Sequence, residues 1–594
     1  MPPPSIQPIA KRSRTGTPNG CSGCEPASIE RAVACRSSGR GLMDERPLDR
    51  AEVVVVGGGH NGLICAAYLA RAGLDVCVVE KNETCGGALY STSRAGVTLE
   101  LGAVDHSTIV ASPIPEELEL ERHGLEYIYR TNNAMHLFGD GTEIAIAADP
   151  KDTARSIAQV DEADASAWFE LVDLSRRLMG LTAELSNGRN VPMSVALRAG
   201  RLALGRKGRP LMELATMPVA DLAQKWFRSP HMRALAIFRT AFSGLPASYP
   251  GTGAFFCLTP AGHGRRYARP RGGSPAFVAA LERAVTSAGG RIEPGFAVST
   301  VTQRSDGWEV RSRQGSMLHA SRAVVSAIPP QDLVLDMIQP HDAIPAKLRQ
   351  RFERVEVVSG NLSQFGIASV LRERPDLGVV EGSGFEGSML WLLADPSAAL
   401  ESQAAALTGD LAPRPSVIVT IPSIVDVSLG KPPNASMWIN SFMAHQLDRV
   451  GGWESARAEA ADTVWATIEA CLPGLRDRVT ESILMTPDDL SARTGATNAA
   501  THLAPTLDQL LGDRPVRGSA QHRLGVPGIY LTGAGTHPGP SVSGLPGRAC
   551  AEAVLADLAR SNGRGRRAQR ARWMGAERSR ARNLVRLTRQ VRSG

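Results

Sequence analysis

The stretch that decides the fold reads Val53-Val54-Val55-Val56-Gly57-Gly58-Gly59-His60-Asn61-Gly62. The valines end a β-branched run that suits a strand buried on both faces of a parallel sheet. Gly57 permits a tight turn out of this strand, and Gly59 lets the backbone approach a pyrophosphate. Gly62 allows the following helix to pack closely on the strand, while the N–H groups at the helix start bind phosphate oxygens.

The residues after this turn complete a βαβ unit. We predict a helix near 61–72, with Gly73 as its C-terminal cap, and a second strand over 75–80. Glu80 ends that strand, where its carboxylate can accept hydrogen bonds from ribose hydroxyls and would repel a 2′-phosphate. A GxGxxG pattern alone is weak evidence, but the strand, the helix and the acid at the right distance together favour a dinucleotide site.

Two further glycine-rich stretches extend the pattern. Gly86-Gly87 is followed by Ala88, and such a glycine pair lets the backbone pass close to a bulky ligand. Near the other end, Gly528-Ile529-Tyr530-Leu531-Thr532-Gly533-Ala534-Gly535 is followed by Val542 and Gly544. That order predicts a strand, a glycine turn and a helix whose N-terminus carries roughly half a positive charge.

These stretches resemble the extended fingerprint of the FAD-binding amine oxidase and phytoene desaturase superfamily, including the group of pyridine nucleotide-disulphide oxidoreductase domain proteins. The resemblance covers about residues 50–560 and implies FAD as the cofactor. It implies that the second glycine pair lines the ribityl and pyrophosphate part, and that the closing helix points at the flavin ring. The residues it places at the cofactor are Gly57, Gly59, His60, Asn61, Gly62, Glu80, Lys81, Gly86, Gly87, Ala88, Val298, Gly533, Gly535, Val542 and Gly544.

The fold class that follows is α/β, with a Rossmann-type FAD-binding domain interwoven with a mixed α+β substrate domain. The predicted FAD-binding segments are 51–125, 268–335 and 520–560, and the substrate segments are 126–267 and 336–519. Residues 1–46 are predicted as a disordered leader and 561–594 as a basic tail.

Local patterns predict further elements in both domains. Residues 152–190 indicate a long helix or a helical pair, and 210–240 are also helical in pattern. One strand is expected over 291–298, so that Val298 ends it, where family members contact adenine through the backbone. Further strands are expected at 323–327, 416–421, 437–442 and 529–531, and helices at 455–471 and 544–559.

The resemblance implies an FAD-dependent oxidoreductase that desaturates a lipophilic, polyene or isoprenoid-like substrate by hydride transfer to flavin N5. An amine oxidase, a double-bond reductase, an isomerase and a non-catalytic flavin-binding regulator stay open as alternatives. NAD(P) is a candidate transient electron partner. His502 is the candidate catalytic base, because histidine exchanges protons near neutral pH. Two segments depart from the family pattern: Thr497–His502, and Gly539-Pro540-Ser541-Val542 in place of a glycine triplet.

Other classes fit less well. There is no Gly-x-Ser-x-Gly elbow for a hydrolase, Cys85 lacks a CxxC partner for disulfide reduction, and no metal-ligand cluster is visible. One Cys21–Cys24 pair in the leader is weak evidence for zinc.

The charge of the chain lies mainly at its ends. The net charge is +7, but the tail carries +10 and the leader +3, so residues 47–560 carry −6. This distribution argues against nucleic-acid binding by the folded body. It leaves peripheral membrane contact through the tail, as a short basic amphipathic helix, as an alternative to disorder. We expect a cytoplasmic protein, because neither a secretory signal nor a spanning apolar run is present.

Overall fold

The computed structural model describes residues 50–561, apart from 132–133, 187–207, 358–359, 377–388, 496–502, 507–508, 510–513, 518 and 520. The predicted leader with its Cys21–Cys24 pair, the candidate base His502 and the tail beyond 561 lie outside these described residues.

Most strands belong to two large sheets, and two short pairs complete the set. The strands are β1 Arg50–Val56, β2 Val76–Val79, β3 Ser91–Arg94, β4 Val97–Glu100, β5 Tyr127–Thr131, β6 Ala134–Phe138, β7 Glu143–Ile146, β8 Arg266–Pro270, β9 Arg291–Glu293, β10 Val298–Arg304, β11 Gly307–Ser312, β12 Met317–Ser326, β13 Ile338–Gln339, β14 Leu362–Leu371, β15 Met389–Leu393, β16 Val417–Thr420, β17 Ala435–Ala444, β18 Val479–Met485 and β19 Ile529–Leu531. The two short sheets pair β3 with β4 and β5 with β8.

Helices cover both large sheets. They are α1 His60–Arg71, α2 Ser107–Val110, α3 Ile114–Glu117, α4 Pro150–Ala158, α5 Glu162–Ser186, α6 Arg209–Thr216, α7 Val219–Trp226, α8 Pro230–Thr240, α9 Thr252–Phe256, α10 Leu258–Ala261, α11 Ser274–Ser287, α12 Ala346–Glu353, α13 Ala398–Thr408, α14 Gly452–Cys471, α15 Pro487–Thr494 and α16 Leu545–Ser561. In the described part of the chain, no helix is both long and apolar enough to cross a membrane.

The first sheet has the strand order β13-β10-β11-β12-β1-β2-β9, with β19 also paired to β12. Strands β19, β12, β1, β2 and β9 run parallel. Along β1, Val53 and Val55 pack into the core that α1, α11 and α16 share, while Val54 and Val56 pack into the core on the other face. Burial on both faces explains the unbroken valine run, because a parallel strand between two covered faces has no polar side.

The second sheet has the order β18-β14-β17-β16-β15-β6-β7. One face packs into a core with α5 and α6–α9, and the opposite face packs against α14. Strand β17 is buried along all of its ten residues, as expected for a central strand covered on both sides.

The structure divides one predicted strand into two. The single strand expected over 291–298 is wrong, because the chain forms β9 and β10 on either side of a turn. Pro294 cannot donate to a sheet, and Gly295 takes the left-handed conformation with φ +71. Strand β9 then pairs with β2, while β10 pairs with β11 and β13 farther along the sheet. Val298 therefore begins β10 instead of ending the preceding strand.

Candidate active site

The turn after β1 has the close packing that its glycines predict. Gly57 has φ +103 and donates its N–H to the Val79 carbonyl at 2.8 Å. A Cβ placed on Gly62 would lie 2.1 Å from the Gly57 carbonyl oxygen. Helix α1 can therefore approach β1 this closely only when residue 62 has no side chain.

Gly59 plays a different part, because it borders open space. A Cβ placed there would meet nothing closer than the Gly87 Cα, at 4.0 Å. Gly59 is also the N-cap of α1, where no side chain caps the helix and no acidic residue occupies the first turn. Uncapped N–H groups beside a recess that a side chain would fill suit the oxygens of a diphosphate.

The second glycine pair forms the facing wall of this recess. Gly86 donates its N–H to the Gly58 carbonyl at 2.9 Å, and Gly86 and Gly87 have φ of +126 and +56. A Cβ on Gly87 would lie 3.2 Å from the Gly59 Cα. Ala88 accepts a hydrogen bond from the Ala103 N–H at 2.9 Å, which fixes the chain beyond the pair. The two glycine stretches thus form one continuous backbone surface.

Glu80 and Lys81 lie at the end of β2 and point in different directions. The buried Glu80 carboxylate accepts the Gly58 N–H at 2.8 Å and both the backbone and side-chain N–H groups of Asn82, at 3.0 and 2.6 Å. The Lys81 ammonium donates to the Ala492 carbonyl at 2.7 Å, at the end of α15. Burial lowers the pKa of Lys81. Glu80 therefore joins the glycine turn, whereas Lys81 ties the turn region to α15.

His60 and Asn61 connect the opening turn to the closing segment. Burial lowers the pKa of His60 to about 4, so its ring is neutral at pH 7, and it bonds the Ser541 backbone. The Asn61 amide donates to His60 Nε2 at 3.0 Å, and its oxygen accepts the Gly547 N–H at 3.4 Å. Residues about 480 positions apart thereby meet at the N-termini of α1 and α16.

The closing segment packs on the same end of the first sheet. A Cβ on Gly533 would lie 3.0 Å from the Ala327 carbonyl, and one on Gly535 would lie 3.1 Å from Pro330 Cδ. Gly544 would meet Ile64 of α1 at 2.5 Å. Val542 is buried in the core beneath α1 and α16. Ser541 has φ +110, an unusual conformation for a residue with a side chain.

Val298 lies apart from the glycine surfaces. It lines a cavity of about 380 Å³ together with Ser299, Arg313, Asp332, Asp336 and Met337. The charges of Arg313 and Asp332 act on Lys81, which places this cavity on the Glu80–Lys81 side of the sheet. The adenine contact that the resemblance implies for Val298 stays a prediction.

A buried ion pair next to the site could not be located from sequence spacing. Arg269 and Glu100 form a salt bridge with both side chains almost fully buried. Glu100 also accepts the backbone N–H and the hydroxyl of Ser274, both at 2.9 Å, and Ser274 bonds the buried His106 ring at 3.2 Å. Burial holds the pKa of His106 well below its usual range, so this histidine is a neutral structural residue.

The comparisons with known proteins show the family. The model of the flavin containing amine oxidoreductases matches residues 62–554, and the chain belongs to this family. It is 26% identical over 557 residues to the pyridine nucleotide-disulfide oxidoreductase domain-containing protein 2 of Rattus norvegicus, covering 85% of this chain and 94% of that protein. It is 25% identical over 550 residues to the neurosporene-forming phytoene desaturase of Cereibacter sphaeroides, covering 87% and 96%.

A solved structure agrees on the fold. A putrescine oxidase variant superposes with a TM-score of 0.58 at 16% identity, covering 86% of this chain and all of that chain. The predicted fold class and the predicted family are therefore confirmed, and the protein is an FAD-dependent oxidoreductase. The open recess at Gly59, the uncapped start of α1 and the glycine surface opposite fit the diphosphate of FAD.

The second sheet carries an aromatic wall on one face. Trp391 of β15 meets Phe238 of α8 at 4.9 Å between ring centroids and Phe242 at 5.4 Å, both edge to face. Phe242 also meets Phe442 of β17 at 5.3 Å. Phe242 is 40% exposed although its partners are buried, so this wall has an open side. Sequence patterns did not reveal the cluster, because its members come from three distant segments.

Proposed function

We propose that the protein dehydrogenates a lipophilic, polyene or isoprenoid-like substrate. Two hydrogens would leave adjacent carbons, one as hydride and one as a proton, and a carbon–carbon double bond would form between those carbons. A bound flavin supplies the hydride acceptor, at N5. Oxygen, a quinone or NAD(P) would take the electrons afterwards.

The observation that carries the proposal is the aromatic wall of Trp391, Phe238, Phe242 and Phe442. Aromatic side chains bury large apolar areas and stack on flat conjugated groups, so a partly exposed set of them favours an apolar ligand. The similarity to a phytoene desaturase along nearly its whole length supports the same substrate class.

The similarity of the fold to a putrescine oxidase raises the amine alternative. An amine at neutral pH is a cation, and Arg239 stands over the Trp391 ring at 4.3 Å. A fixed guanidinium on the wall would repel such a substrate. The described residues therefore favour an apolar substrate over an amine.

The chain's own contribution to the reaction is binding, orientation and exclusion of water. The glycine surfaces around Gly59 and Gly87 would hold the diphosphate, and the α16 N-terminus would favour negative charge on the reduced ring. We further propose that His502 takes the proton from the substrate, and that the basic tail beyond 561 contacts membrane lipid. We also propose that the protein resides in the cytoplasm.

The test is anaerobic mixing of purified yellow protein with lipid and metabolite fractions from the host cell. Loss of the flavin band near about 450 nm in an apolar fraction is the expected result. Free FAD mixed with the same fractions is the control, because it reveals chemical reduction without the protein.

The alternatives give different results in the same assay. Bleaching by amines with release of hydrogen peroxide would replace the proposal with an amine oxidase. Consumption of NAD(P)H together with an unsaturated compound would replace it with a reductase, and rearrangement of a double bond without net bleaching would indicate an isomerase. A flavin that no fraction bleaches or rearranges would indicate a regulatory protein.

A further inference from the structure

Arg239 is a half-buried cation with no ion-pair partner among the described residues. Its guanidinium lies 4.3 Å from the centre of the Trp391 ring, near the end of α8. Its Nε is buried without a hydrogen-bond partner, and no carboxylate of the described residues forms an ion pair with it. Burial alone lowers the pKa of Arg239, to about 9.

Two other arginines show how this protein normally satisfies such a group. Arg269 is buried more deeply, at 1% exposed, and pairs with Glu100. Arg233, one and a half turns before Arg239 on the same helix, donates its Nε to the Phe227 carbonyl at 2.8 Å. An unpaired guanidinium inside a protein is costly unless an acceptor arrives from outside.

Two buried donors without a hydrogen-bond partner lie on one face of the second sheet, and Trp391, the nearer one, is in contact with Arg239. His136, Trp391, Ile418 and Asn440 stand directly opposite one another on β6, β15, β16 and β17, so their side chains share one face. The Trp391 indole N–H and the Asn440 amide are both buried without a hydrogen-bond partner. His136 stacks on Trp391 with centroids 5.6 Å apart. An indole N–H and an amide NH₂ can only donate, so each of these two groups lacks a hydrogen-bond acceptor among the described residues.

The acceptor that fits is a carboxylate. A carboxylate has two coplanar oxygens that match the fork of a guanidinium, and one guanidinium balances its single charge. A doubly charged phosphate would require more positive charge than one guanidinium supplies. The ring of Phe242, 40% exposed at the edge of Trp391, gives this corner an accessible apolar surface.

We propose that Arg239 and the Trp391 indole N–H bind the carboxylate of a substrate whose remaining body is apolar. The substrate class is then a lipophilic carboxylic acid, not a neutral hydrocarbon and not an amine. This inference rests on the proposed function for the apolar body and adds the acidic group that anchors it. A neutral hydrocarbon would bury Arg239 without a partner, and an amine would place two cations together.

The test compares three probes with one carbon skeleton: geranate, geraniol and geranylamine. Isothermal titration calorimetry on the FAD-loaded protein measures each dissociation constant without requiring turnover. We expect geranate to bind about tenfold or more tightly than either of the other two, because a hydrogen bond to a charged group is worth that much. Arg239→Gln should weaken geranate binding by about tenfold or more and leave geraniol binding nearly unchanged.

Two variants complete the design. Arg239→Lys keeps the positive charge but lacks the two-pronged geometry of the guanidinium, so it should show only part of the wild-type preference for geranate over geraniol. This variant serves as the test if Arg239→Gln does not fold. Arg228→Gln makes the same charge change at an exposed position just before α8 and should bind geranate like the wild type. Flavin content and circular dichroism establish that each variant is folded.

Equal binding of acid and alcohol by the wild type would overturn the proposal, as would no measurable binding of geranate. A preference for the acid that survives in both Arg239 variants would also overturn it. Failure of the proposed function has a different signature: geranate would bind in an Arg239-dependent way, while no apolar fraction bleaches the flavin. That result would support the carboxylate site and contradict the proposed dehydrogenation.

Discussion

Replacing Gly59 by valine should weaken cofactor binding and change the stability of the fold only slightly. Gly59 has φ −69 and ψ 165, a conformation that any residue adopts, and its Cβ would meet nothing closer than 4.0 Å. The free energy of unfolding of the cofactor-free protein should therefore fall by only about 1 kcal/mol, the usual cost at a helix N-cap. The new side chain would fill the recess opposite Gly87, where the diphosphate is placed.

The loss of cofactor affinity follows from the contacts at α1. Displacing two charge-assisted hydrogen bonds from phosphate oxygens costs about 3–6 kcal/mol in total, which weakens FAD binding by about a hundredfold to ten-thousandfold. Reconstitution of the stripped protein with FAD, followed by calorimetry and by the absorbance ratio of flavin to protein, measures this change.

The matched control is Gly62→Ala, three residues along the same helix. Its Cβ would lie 2.1 Å from the Gly57 carbonyl, so the backbone must move and the protein should lose about 4 kcal/mol or more of stability. A folded Gly59→Val protein that retains the full yellow colour would refute the placement of the diphosphate between the two glycine stretches.

Three further predictions concern ionisable side chains near the site. Glu80→Ala leaves the Gly58 N–H without its acceptor and should lower the free energy of unfolding by about 1–3 kcal/mol in urea, while Glu80→Gln, which retains an acceptor, should lose about half as much. Arg269→Met leaves the buried Glu100 carboxylate without its cation and should lower the free energy of unfolding by about 3–5 kcal/mol. Adding Glu100→Gln in a double-mutant cycle should recover part of that loss. His60 is neutral when folded but binds a proton below about pH 6.5 when unfolded, so stability is complete above that pH and falls by about 3 kcal/mol as the pH drops to about 4. In His60→Gln, denaturation measured over the same pH range should lack this part of the decline, and an unchanged pH profile would contradict the assignment.

The glycine turn after β1 could be predicted from the sequence. Gly57 and Gly62 take the turn and packing roles that their spacing indicates, because both roles depend on backbone within a few residues. The helix boundaries at 60–71 and 545–561 differ from the expected ones by one or two residues. The family and the fold class followed from the same local motifs.

Long-range features could not be predicted in this way. The Arg239–Trp391 contact joins a helix to a strand that is remote in sequence, and no periodicity records which elements become neighbours. The sequence predicts one strand over 291–298, but Pro294 and Gly295 end β9, and the polar pattern of Val298–Arg304 gives little signal for β10. The cofactor contact that the resemblance implies for Lys81 stays a prediction, and the bond from its ammonium to a carbonyl near the end of α15 is a further long-range contact.

The contact between His60 and Ser541 has a consequence for biosynthesis. Strand β1 and helix α1 precede β19 and α16, which complete their side of the nucleotide-binding half, by about 470 residues. During synthesis the closing side of the flavin site is absent, and the apolar flank of α1 that α16 covers is exposed, until residues 529–561 have left the ribosome. A nonsense mutation or a nick before α16 would cost the enzyme its cofactor even though every residue of the opening motif is intact.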